Sequence, residues 1–242
     1  SDVYKRQKLF KGVMLVCFFT LFSCQQDEML YSCDPEVNEY IKSNLSDIQT
    51  MSRNRFLEIE RDLQPSIFNA FTPEQKQLIW IEKFQNILSL RLTNKEKTHI
   101  ELLIQYINEN RLYFEEPKAY EDDIAIFAYK WTQYAMNVLM WDKEIIYNIV
   151  YDPSTVVQDS QNRFIIPEEN THTMRVGITS GRLKTRTEQD PPPSVKCSCN
   201  TGVDDCGTTG LMTCKKWDCI AIYGCGFLFQ AVCDGGCYRN DL

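Results

Sequence analysis

The chain has 242 residues, with 33 acidic side chains against 26 basic ones and a formal net charge of −7. That balance argues against nucleic-acid binding, because phosphate backbones are held by clustered lysines and arginines. Eleven cysteines accompany only two histidines, His99 and His172, so a cysteine nucleophile finds little of the histidine or cationic support it needs.

Lys5, Arg6, Lys8 and Lys11 form a basic start, and the apolar run from Gly12 to Phe22 leads to Ser23-Cys24. This is the pattern of an export signal, and its apolar run falls short of the roughly 20 residues a membrane-spanning helix requires. Residues 1–23 are expected to be a signal peptide. Leu21-Phe22-Ser23-Cys24 resembles the lipobox of bacterial lipoproteins, which implies lipidation of Cys24 and attachment to a membrane through its acyl chains. Each buried CH2 of such a chain contributes about 0.8 kcal/mol, and more than one chain is needed for stable anchoring. The following Gln25-Gln26-Asp27-Glu28 is similar to the acidic signal that carries lipoproteins of the Bacteroidetes to the cell surface. The location implied is the outer membrane or cell surface. Cys33 is then left as an odd cysteine, read as a free thiol near the anchor or as a bridge between two molecules, with the free thiol favoured.

From Asp34 to about Val150 apolar residues recur at helical spacing. Thr72-Pro73-Glu74-Gln75 and Thr93-Asn94-Lys95-Glu96 read as capping boxes, and Ser46-Asp47-Ile48-Gln49 as a third. Three stripes follow: Ile81, Phe84 and Leu88 flanked by Trp80 and Ile87; Ile100, Leu103, Ile104 and Ile107; and Ile124, Phe127, Ala128, Trp131, Ala135 and Val138. Each must be covered, which predicts a bundle of four to six helices. Trp80, Trp131 and Trp141 are assigned to its core rather than to a ligand cage. Glu121-Asp122-Asp123 is read as a helix start, where the macrodipole favours negative charge, and His99 lies in a helix with no second metal ligand near it in sequence.

Beyond Asp152 the periodicity fades, although Thr155–Val157 and Phe164–Ile166 read as short strands against the bundle. From Gly181 to Asp190 the chain is polar, and Pro191-Pro192-Pro193 stiffens it into a spacer. Arg182, Lys184 and Arg186 are candidate cleavage positions for trypsin-like proteases, which cut exposed tethers.

Cys197, Cys199, Cys206, Cys214, Cys219, Cys225, Cys233 and Cys237 crowd the remaining stretch. A segment this short holds together with difficulty through apolar burial alone, so the cysteines are read as disulfide staples, each stabilising by about 2–4 kcal/mol. The pairing stays open. No C-x2-C knuckle and no histidine occur here, which disfavours zinc, and no metal or cofactor is expected. The expected fold is mainly α, with a helical bundle over residues 24–150, an irregular segment and Pro-rich linker over 151–196, and a small disulfide-rich module over 197–242. Trp217, Ile222, Tyr223, Phe227 and Phe229 mark the most apolar part of that module, offering either its own small core or a surface for a membrane or partner. Lys215, Lys216 and Arg239 are outnumbered there by Asp204, Asp205, Asp218, Asp234 and Asp241, the reverse of a cationic membrane killer.

The run Cys197-Ser198-Cys199-Asn200-Thr201, with Cys206, Thr213-Cys214, Gly224-Cys225-Gly226 and the closing Cys233 and Cys237, resembles the eight-cysteine antibacterial peptides of the fulvocin C type. Phe71-Thr72-Pro73-Glu74-Gln75 and Trp80-Ile81-Glu82-Lys83-Phe84 are similar to the helical region of fulvocin C-related proteins. The closing cysteines here have three residues between them, a departure from the C-x-C of that pattern. The resemblance implies a bacteriocin-like module on a precursor, without active site or cofactor, facing a target-cell membrane or surface protein. The competing expectation is a surface-anchored binding or structural module. An enzyme is not expected, because no set of nucleophile, base and orienting group can be assembled.

Overall fold

The computed structural model describes residues 29–32, 34–61, 63–167, 199–202, 206, 212–216 and 222–239. The chain enters the helical region through α1 (Pro35–Ser43), where the Asp34 carboxylate accepts from the backbone N–H of Glu36 at 2.9 Å and Val37 at 3.3 Å. Three short helices follow, α2 (Leu45–Ile48), α3 (Arg53–Leu57) and α4 (Gln64–Ala70). The two long helices α5 (Pro73–Leu88) and α6 (Asn94–Glu109) both open on full capping boxes, from Thr72 with Gln75 and from Thr93 with Glu96. The Gln75 amide also donates to the Ile48 carbonyl at 3.1 Å, tying α5 to α2. The third expected box does not form: Ser46 lies inside α2, which starts after Asn44.

A short helix α7 (Leu112–Glu115) and a 3-10 turn lead to α8 (Glu121–Asn137), with Glu121, Asp122 and Asp123 in its first turn as expected. Asp142 caps α9 (Lys143–Val150). Strands β1 (Val157–Gln158) and β2 (Phe164–Ile165) then pair antiparallel, Val157 opposite Ile165, close to the positions the sequence suggests. Phe164 is buried with its ring edge-on to Trp141 at 5.6 Å. The strands thus pack onto the end of the bundle.

On α6 the buried residues Ile100, Leu103 and Ile107 match the sequence stripe, with Ile104 half-buried. On α8 Ile124, Trp131 and Ala135 are buried, whereas Val138 is exposed just past the helix end. On α5 the buried face is rotated from the expected one. Trp80, Phe84 and Ile87 are fully covered, Ile81 and Leu88 only half so, and Lys83 sits at 0% exposure among them. All three tryptophans named above belong to the core. Among the described residues no helix is long and apolar enough to cross a membrane.

Lys83 lies on the covered face because its ammonium has partners there. It donates to the Asn148 carbonyl at 2.6 Å and to the Asp152 carbonyl, groups left over where α9 ends. Arg53, also buried, donates to the Pro153 carbonyl at 2.8 Å. The Asp152 carboxylate receives Ser154 N–H at 2.7 Å and pairs with Arg61 at 3.4 Å. Two buried cations thereby clamp the segment after α9 onto α3 and α5.

Burial pushes the Lys83 ammonium from an ordinary 10.5 down to about 7. The unfolded chain therefore holds this proton more tightly than the folded one between those values, so this group makes folding more favourable as pH rises from about 7 towards 10.5. Lys83→Met leaves two buried carbonyls unpaired and is expected to destabilise by about 1–3 kcal/mol. Urea unfolding of both proteins across that pH range should show the difference widening with pH; a constant difference would contradict the role given to Lys83.

Candidate functional site: the stapled C-terminal hairpin

Two antiparallel ribbons make up the described part of the tail. Strand β3 (Met212–Lys216) pairs with β6 (Gly235–Arg239), placing Cys214 opposite Cys237. Strand β4 (Ile222–Cys225) pairs with β5 (Ala231–Cys233), with a register shift between Tyr223 and Cys225. Cys199 joins β6 through a bridge to Gly235. The turn between β5 and β6 is fixed by Asp234, whose carboxylate accepts from the Thr201 N–H and hydroxyl, both at 2.7 Å. Gly235 is required on steric grounds, because a Cβ there would lie 2.7 Å from the Cys214 sulfur and from the Lys215 carbonyl oxygen.

Three disulfides join described residues: Cys199–Cys214, Cys206–Cys237 and Cys225–Cys233. The first two abut, so that the sulfurs of Cys199, Cys206 and Cys214 gather within 4.8 Å of one another. Such a cluster looks like a metal site, yet each of these sulfurs is already bonded to a partner sulfur and offers no thiolate. The closing cysteines go to different partners, Cys233 to Cys225 and Cys237 to Cys206.

The Cys225–Cys233 bridge closes the loop that carries Phe227, Leu228 and Phe229. The sequence leaves these residues a choice between a small core of the tail's own and an open contact surface; the structure gives a third arrangement. Phe227, Leu228 and Phe229 are buried at 4%, 0% and 9% exposure and belong to the same core as the helices. The Phe229 ring stands edge-on to Phe68 at 5.3 Å and to Trp80 at 5.7 Å. Phe227 meets Phe127, Trp131 and Tyr151 at centroid distances of 6.0, 6.1 and 6.2 Å. Ile222 is buried with Cys225 and Cys233 in a satellite cluster, and Tyr223 is half-buried. For these three residues neither alternative holds: the apolar tip completes the core of the helical region, because the aromatic lining there offers more apolar contact than so small a module contains.

Gly224 makes this approach feasible. It has φ of +125°, and a Cβ would lie 2.5 Å from the Pro65 carbonyl oxygen at the start of α4. The docked tip also carries unfavourable terms. Leu228 and Phe229 have φ of 53° and 58°, left-handed conformations that cost roughly 1–2 kcal/mol each. The Gln230 amide is buried with neither its oxygen nor its nitrogen hydrogen-bonded, at about 1–3 kcal/mol. Burial of each large apolar side chain contributes about 1.5–3 kcal/mol in the other direction. The tip is held, but by less than its buried area suggests.

Cys197, Cys219 and Trp217 lie outside the described residues, as do Cys24, Cys33, residues 25–28 and the candidate cleavage positions Arg182, Lys184 and Arg186. Of the proposed contact residues, Ile222, Phe227 and Phe229 are covered, the two phenylalanines in the helical core and Ile222 in the satellite cluster. Sequence reasoning missed Gly224, Pro65 and Gln230. The Gly-Cys-Gly flank of Cys225 was the available signal for a close backbone approach. Set against protein-family models, curated proteins and solved structures, the chain matches none.

Gly224→Ala should separate β4 from α4 and lower stability by about 2–4 kcal/mol. Hydrogen exchange would check it: protection of residues 222–233 should fall more than that of α6. Unchanged protection in the tail would show that the close contact with Pro65 is not needed.

Proposed function

We propose that this chain is an exported, lipid-anchored protein of the outer membrane or cell surface whose stapled tail is a bacteriocin-like effector kept in reserve by the helical region. The observation that supports this reading most is the burial of Phe227, Leu228 and Phe229 in the helical core. A disulfide-closed loop with three consecutive large apolar residues at its tip has a strong tendency to enter an apolar environment. The helices supply one, and a lipid interface or a groove on a target protein would supply another. The left-handed backbone and unpaired Gln230 amide leave the docked state short of its best energy, which suits a tip that is stored and later withdrawn. The similarity to peptides of the fulvocin C type and the basic tether at Arg182, Lys184 and Arg186 support the same reading.

Cutting the tether does not by itself free the tail on this proposal, because the tip remains plugged into the helices. Release requires loss of that contact as well. The alternative is a surface-anchored binding or structural module that stays uncut. The shared core supports it, since withdrawing the tip opens a gap among Phe68, Trp80 and Trp131.

The intact chain should leave bacteria unaffected, whereas an oxidised peptide spanning residues 197–242 should inhibit the growth of related bacteria. Inactivity of the peptide across a broad panel, with its bridges verified by mass spectrometry, would remove the effector reading and leave the anchored module.

A further inference from the structure

A groove of about 640 Å³ runs along α6 and α8. That volume falls within the range of small-molecule sites. Its apolar wall is made by Leu102, Phe127, Trp131 and Tyr134, of which Leu102 and Tyr134 are 43% and 40% exposed. Large apolar side chains left open on a concave surface are the usual signature of a binding face.

The polar part of the lining is one-sided. Lys95 from the first turn of α6 and Lys130 from α8 both border the groove, with the neutral Asn94 and Thr98 and no carboxylate. This occurs in a chain where acids outnumber bases by 33 to 26. Glu96, on the same first turn, is occupied elsewhere: it accepts from Thr93 N–H at 2.7 Å and from the Trp141 indole at 3.2 Å. The start of α6 adds the positive end of its dipole to the two ammonium groups.

His99 backs the aromatic wall. Its ring is stacked between Trp131, at 4.4 Å and 13°, and Tyr134, at 4.8 Å and 30°. The residue is 2% exposed and lines the groove, yet its Nε2 has no hydrogen-bond partner. Burial pushes the ring down to about 4, so it is neutral near pH 7. The Nε2 is itself covered, so His99 serves the groove as a neutral ring that fixes Trp131 and Tyr134 in place by stacking.

We infer that this groove binds a small planar aromatic carboxylate, its ring against Leu102, Phe127 and Tyr134 and its carboxylate toward Lys95 and Lys130. Aromatic walls favour a flat ring over a flexible alkyl chain, which loses more conformational freedom on binding. The inference does not rest on the effector role proposed for the tail, although Phe127 and Trp131 also meet Phe227 of the docked tip.

The test is a titration of the full chain with 2-naphthoate, followed by tryptophan fluorescence and calorimetry. Saturable binding of one equivalent is expected. Lys95→Glu combined with Lys130→Glu should weaken it by about tenfold or more without changing the melting temperature, since both lysines are exposed. 2-Naphthylmethanol, which keeps the ring and lacks the charge, and decanoate, which keeps the charge and lacks the ring, should each bind several-fold more weakly. Absence of saturable naphthoate binding, indifference to the double charge reversal, or decanoate binding as tightly as naphthoate would each overturn the assignment.

Discussion

The insertion of Phe227, Leu228 and Phe229 between α4, α5 and α8 joins the two regions of the molecule. One of the two ribbons of the tail is built around that contact. The Cys225–Cys233 bridge fixes the width of the loop that presents the three side chains, and Gly224 brings its backbone against Pro65. The other two described disulfides and the Asp234–Thr201 contacts hold the second ribbon, which shares no buried cluster with the helices. One half of the tail is stapled for docking, and the other is stapled because little else supports it.

A second constraint acts where α9 ends, beside the docked tip: Lys83 lies over the Trp80 ring that Phe229 meets, and Tyr151 touches Phe227. Arg53 and Lys83 are held in the interior by carbonyl oxygens of Asn148, Asp152 and Pro153, groups that a helix end would otherwise show to water. Paired so, the cations fix where the chain leaves α9 and turns into β1.

Local signals in the sequence translated well. The Thr72 and Thr93 boxes form because their partners are three residues away and need no tertiary context. The stripe on α5 was misplaced because Lys83 counts as polar in any pattern, and its carbonyl partners lie more than 60 residues further along. The staples were legible from cysteine density, whereas their pairing was not, since spacing alone does not say which strands meet. The tip was the hardest feature to read. Phe227-Leu228-Phe229 has the same pattern whether it faces water, its own module or another element, and only the aromatic gap among Phe68, Trp80, Trp131 and Tyr151 distinguishes these. The groove was hidden for a similar reason, because Lys95 and Lys130 read as ordinary solvated charges until α6 and α8 are placed side by side.

The order in which the core is completed has a temporal consequence. Synthesis runs from Phe56 towards Phe229, so the helices emerge with a hydrophobic vacancy that only residues made later can fill. Those residues take their shape from the sulfur bridge between Cys225 and Cys233. Closure of the helical core therefore waits for the end of the tail to be made, and the sulfur bridge that spans β4 and β5 favours the loop shape that fills it.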